Sequence, residues 1–143
     1  MKPSRPAPAL TEDVVMQVVV DHTNRVALNA TLSYSLDDPF AVSATFRTGD
    51  GDITWTFARD LLRSGMTEPA GEGDIHVRPG HPSRGPIVVM TLSSPSGAAQ
   101  IEAPRHEIGG FIAETYRVCP DGSEWMYLDL DRTIDDLLAD PSI

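Results

Sequence analysis

The spacing of hydrophobic residues changes along this chain, and each change marks an element. From Val14 to Val20 the apolar residues are nearly continuous (Val14, Val15, Met16, Val18, Val19, Val20), the pattern of a strand covered on both faces. Asn24 marks a turn. Val26, Leu28, Ala30, Leu32 and Tyr34 then alternate with smaller or polar residues, which predicts a half-buried strand. Asp37-Asp38-Pro39 breaks that pattern. Phe40, Val42, Ala44 and Phe46 form the apolar face of the next strand. Gly49-Asp50-Gly51-Asp52 supplies residues tolerant of positive φ, so the chain reverses there, and Ile53, Trp55 and Phe57 bring the apolar face back. Phe46, Trp55 and Phe57 are expected in the core.

The period then lengthens from two to about four. Phe57, Leu61 and Leu62 share a helical face, and Gly65 reads as its C-terminal stop. Strands are expected at Asp74–Arg78, Ile87–Leu92 and Ala98–Ala103, with Ser94-Pro95-Ser96-Gly97 as the last turn. Pro79 to Pro86 is too rich in breakers to be regular. Pro104 suits the first position of a helix whose apolar face is Ile108, Phe111, Ile112 and Tyr116. Gly109-Gly110 costs that helix about 1 kcal/mol per residue relative to alanine, so the helix bends there or something packs closely. Asp121-Gly122 is a turn, Trp125 to Leu130 reads as a short extended piece, and Asp131 caps a last helix carrying Ile134, Leu137 and Leu138. The expected fold is α+β, with antiparallel sheets of about seven strands and about three helices. It forms a single domain over residues 13–143, preceded by a disordered Pro-rich arm at residues 1–12.

Composition narrows the function. The 143 residues are 41% hydrophobic and 22% charged, which is globular and ample for one core. No apolar run is long enough to span a bilayer, and Met1–Leu10 lacks a signal-peptide stretch, so a cytoplasmic protein is expected. Cys119, the one cysteine, agrees with a reducing compartment. The net charge is −10, with 11 basic residues scattered among 21 acidic ones. Such a chain repels phosphate backbones and anionic membranes.

The chain offers little to a catalytic reading. His22, His76, His81 and His106 lack metal-ligand spacing, and Cys119 has no neighbouring histidine. Asp50-Gly51-Asp52 resembles the opening of a calcium loop but lacks the later oxygen ligands. Asp129 and Asp131 would share one side of a strand, which alone does not make an acid/base pair. There is no nucleophile elbow and no phosphate-cradling glycine loop. No enzyme activity, cofactor or metal is expected.

The order of motifs carries more. Asp38–Phe46 (DPFAVSATF) and Trp55–Leu62 (WTFARDLL) resemble two signatures of the SsgA-like proteins, an actinobacterial sporulation and cell-division family. Gly71–Val77, Leu92–Gly97 and Glu102-Ala103-Pro104 are similar to three more, in the same order. Arg78, Gly109-Gly110 and the single proline after Cys119 depart from the usual pattern. The resemblance implies a non-catalytic regulator of septum and cell-wall assembly that helps position the division GTPase FtsZ through protein contacts. It also implies a fold like the whirly and guide-RNA-binding proteins, a homotrimer, recruitment to the septum, and partners among other family members, FtsZ or its membrane anchors. The alternative is single-stranded nucleic-acid binding on a whirly-like fold, against which the charge and the internal aromatics argue.

Candidate partner-binding residues are Arg59, Asp60 and Arg63, read as the outer face of the first helix, and Asp135 and Asp136 on the acidic last helix. Charge reversal at Arg59 and Arg63 is expected to weaken a complex with little change in melting temperature. A large loss of stability would mark the arginines as structural.

Overall fold

The computed structural model describes residues 10–128. Eight antiparallel strands form one sheet: β1 (Leu10–Val19), β2 (Arg25–Tyr34), β3 (Ala41–Thr48), β4 (Gly51–Ala58), β5 (Ala70–Glu72), β6 (Ile75–Pro79), β7 (Ile87–Ser94) and β8 (Gly97–Pro104). Helix α1 (Arg59–Gly65) follows β4, and α2 (Arg105–Val118) follows β8. Two single-turn 3₁₀ helices, Pro82–Arg84 and Glu124–Tyr127, complete the described elements.

The spatial order is β4-β3-β2-β1-β8-β7-β6-β5, so two meanders of four strands meet at β1 and β8. The meanders are internally well paired, with ten residue pairs between β1 and β2 and eight between β7 and β8. The join between them is thin. Only Gln17↔Glu102 and Val18↔Ile101 pair across it. The two edges are unequal, β4 having eight residues and β5 three.

Alternation sets the two faces. Val14, Met16, Ala30, Leu32, Val42, Ala44, Phe46, Phe57, Val77, Val88, Met90, Leu92, Ile101 and Ala103 all point inward, onto Ile108, Phe111 and Ile112 of α2 and Leu62 of α1. The opposite face is polar over β3 and β4, while β1 and β7 place Val15 and Val89 on it. Ser43 bonds Thr56, Thr45 bonds Thr54, and Arg47 reaches Asp52 and Thr31.

Several expectations are corrected. The seven strands foreseen are all present, in a single sheet, and the eighth is the short β5, three residues that carry no pattern. β1 begins at Leu10, inside the expected arm, and is covered on one face only: Val15 is 59% exposed. Phe40 precedes β3 and is 48% exposed instead of facing inward with Val42. Phe57 belongs to β4, and α1 starts two residues later. Trp125–Tyr127, expected to be extended, forms a 3₁₀ turn, and the Glu124 side chain accepts from the Gly122 N–H at 2.7 Å. The expected last helix lies outside the described residues.

Glycine serves close approach more than chain reversal at Gly65. A side chain there would run into Val77 of β6, and the backbone carries no positive φ. In α2, which runs unbroken from Arg105 to Val118, Gly109 faces the Met66 side chain whereas Gly110 has open space around it.

Candidate functional site

Arg59, expected on the outer face of α1, is 1% exposed, and this corrects its placement. The helix begins at residue 59, so its buried stripe runs Arg59, Leu62, Gly65 and not through Phe57. The guanidinium lies over the Tyr116 ring at 3.9 Å and near Tyr34 at 5.3 Å. Its Nη1 donates to the Thr115 carbonyl at 2.9 Å, and its Nη2 lies 3.2 Å from Glu124 Oε2. Nε has no hydrogen-bond partner, and Nη2 meets Glu124 as an ion pair without a hydrogen bond.

Around it the motif residues close a corner. The Tyr34 hydroxyl donates to the Pro39 carbonyl at 2.8 Å, and the Arg59 N–H donates to the Phe40 carbonyl at 2.8 Å. Burial pushes the Tyr34 hydroxyl well above the ordinary tyrosine range. Glu124 is held below the usual carboxylate range by a backbone hydrogen bond first and by Arg59 after that. Arg59 and Glu124 therefore join the segment after α2 to the core. Sequence reasoning missed Glu124, whose one signal is its turn after Asp121-Gly122.

Asp60 and Arg63 do stand at the surface. Arg63 donates to Asp60 at 2.6 Å and to Asp121 at 3.2 Å, and its guanidinium lies 4.4 Å from the Tyr116 ring. Asp135 and Asp136 lie outside the described residues.

A different feature is open to a partner. Val18, Leu28, Ile53, Trp55, Leu92 and Ala99 line a groove of about 390 Å³ on the inner face of the sheet. β3 and β4 share its walls with β7 and β8, which the sheet order separates by β2 and β1, so the sheet must curl to bring them together. Among the described residues, none from either helix lines this mouth. Ile53 is 50% exposed and Trp55 half-buried, whereas Phe46 and Phe57 are core as expected. Alternation gives the face of the groove residues correctly. That they stay uncovered depends on the curl of the sheet and the placement of the helices, which spacing does not show.

Among the described residues no His, Cys, Asp and Glu cluster could hold a metal ion, and no helix is long and apolar enough to cross a membrane. The fold and these two features define a small α+β domain in which one long antiparallel sheet curls around two helices and leaves an apolar mouth open.

Residues 28–124 match the family described as Streptomyces sporulation and cell division protein, SsgA. The sporulation-specific cell division protein SsgB of Frankia casuarinae is 44% identical over 127 residues, 88% of this chain and 89% of that one. SsgB of Thermobifida fusca is 37% identical over 132 residues, 92% and 96% of the two chains. The chain belongs to the SsgA family of sporulation and cell division proteins. Solved structures agree. The crystal structure of the SsgA-like sporulation-specific cell division protein from T. fusca superposes with a TM-score of 0.80 at 36% identity, over 93% of this chain and 98% of that one. A structure of Streptomyces coelicolor SsgB, described in connection with mutations that correlate with longitudinal cell division during sporulation, gives 0.78 at 36% identity, over 82% and 93%.

Proposed function

We propose that this protein is a non-catalytic regulator of sporulation-specific cell division that works by protein contacts and helps position FtsZ at the septum. The observation that carries this reading is the match to relatives each named as a sporulation-specific cell division protein, along nearly the whole of both chains. The partners proposed are other family members and FtsZ or its membrane anchors. The protein acts in the cytoplasm, as a homotrimer of whirly-like fold, recruited to the septum. Asp60 and Arg63, with Asp135 and Asp136, remain candidate contacts.

A pull-down with the tagged protein from sporulating cells is expected to recover a family member, FtsZ or one of its anchors. Recovery of no division or cell-wall protein overturns the reading. Titration with labelled single-stranded oligonucleotides at low salt is expected to show no tight binding; tight, salt-sensitive binding would replace this function with nucleic-acid recognition.

A further inference from the structure

We propose that the open mouth of the curled sheet is a docking groove for a basic segment of a partner protein, held by apolar anchors. The inference rests on the protein-contact reading above and deepens it. Among the described residues nothing packs across Ile53, Trp55, Val18, Leu28 and Ala99, which form a continuous apolar floor. The groove opens toward the tight turns at one end of the sheet; the β7–β8 turn, whose Ser94, Ser96 and Gly97 line it, carries no charge, and the other three turns carry acids. Asp21 lies in the β1–β2 turn, Asp50 in the β3–β4 turn, and Glu72 and Asp74 flank the β5–β6 turn beside Ser93; all four are exposed. The Asp21 carboxylate is held down at about 2, chiefly by the Asn24 side chain, so it is anionic at any physiological pH. The arginines at the same end are held in internal contacts. Arg25 is engaged with Glu102 and with the Asp21 and Asn24 carbonyls of its own turn, and Arg47 with Asp52 and Thr31.

This charge pattern selects the occupant. A second copy of a chain of net charge −10 meets the mouth with like charge. So does the chain's own segment 129–143, with five aspartates and one arginine. Residues 1–9 are basic through Lys2 and Arg5 but offer no large apolar anchor beyond Met1, and they precede Leu10, which pairs with Tyr34 at the far end of β1 from Val18. A partner segment with alternating or helically spaced apolar residues and flanking Lys or Arg fits both the floor and the rim.

The test uses the full chain carrying Trp125→Phe, so that Trp55 reports alone. Two peptides of about 12 residues share one apolar pattern and carry Lys or Glu at the polar positions. The Lys peptide is expected to bind saturably with a blue shift of Trp55 emission, and the Glu peptide about tenfold or more weaker. High salt, or Asp50→Lys with Asp74→Lys, is expected to weaken the Lys peptide about tenfold. Ile53→Ser with Ala99→Gln is expected to abolish binding at an unchanged melting temperature. Equal binding of the two peptides, or none, overturns the proposal. So does a change of oligomeric state in the Ile53→Ser, Ala99→Gln variant, which would give the groove to a second copy. A Trp55 red shift on deletion of residues 1–9 or 129–143 would give it to the chain itself and equally overturn the proposal. The pull-down separates the two readings. Division proteins recovered equally by wild type and the groove variant sink the groove and spare the regulator. Peptide binding with no division protein recovered does the reverse.

Discussion

Two arginines four positions apart have opposite fates. Arg59 stacks on Tyr116 out of water and faces Glu124, so removing it strands a buried carboxylate and empties a space the size of its side chain. Arg59→Ala is expected to lose about 3–5 kcal/mol, read as a lowered urea midpoint. Arg59→Lys is expected to recover only part of that, because an ammonium neither stacks as a plane nor forks. Arg63 is 43% exposed at its side chain, and its pairs with Asp60 and Asp121 lie in water. Arg63→Glu is expected to move stability by less than about 1 kcal/mol, and its effect on a partner complex can be read cleanly. Charge reversal at the two positions thus separates into a folding defect and a binding test. The sequence showed a helix here and its charged residues, but not the phase. A helix beginning at residue 59 instead of 57 turns the arginine inward, and only the packing of Tyr34, Tyr116 and Glu124 around it decides that start.

At the scale of elements, glycine reads differently in the two helices. Gly65 touches Val77 where α1 crosses β6, so Gly65→Ala is expected to cost about 1–3 kcal/mol through overpacking, seen as a fall in melting temperature. Gly110 has space for a side chain inside α2, and Gly110→Ala is expected to stabilise by about 0.5–1 kcal/mol, seen as a rise. The neighbouring Gly109 faces Met66 and is not expected to give the same gain. The alternation of β2, β3 and β4 and the face of α2 were legible because each residue's burial follows from the period of its own element. β5 was not, since three residues of Ala-Gly-Glu carry no period and are strand only because β6 is beside them. β1 misled for the opposite reason. Its valines fit either face, and whether the second face is covered is decided by other parts of the structure.

Across the whole molecule, the thin join between the two meanders is braced from the polar side. Glu102 of β8 takes Arg84 at 2.8 Å and Arg25 of β2 at 3.1 Å, so one carboxylate ties the loop before β7 to both halves of the sheet. These arginines, Arg84 first, hold the Glu102 carboxyl below the ordinary glutamate range. A carboxyl depressed in the folded state contributes stability that is present above the unfolded chain's glutamate pKa and is lost as pH falls through the folded value. Unfolding midpoints are therefore expected to drop from neutral to acid pH. In Glu102→Gln that drop is expected to be smaller, with the neutral-pH midpoint already lowered. A variant as steep as wild type would place the acid sensitivity elsewhere. None of this brace was readable from spacing, because Arg25, Arg84 and Glu102 are brought together by the order of strands in the sheet.

The unequal edges of the sheet limit how copies of the protein can add to one another. Backbone groups along the eight residues of β4 can template a further strand, while the three of β5 offer little more than one step of a ladder. Among the described residues, then, the molecule has one adhesive side. Two copies joined β4 to β4 would exhaust it. A larger assembly made by the described residues then has to be built from faces and loops, not by adding strand to strand.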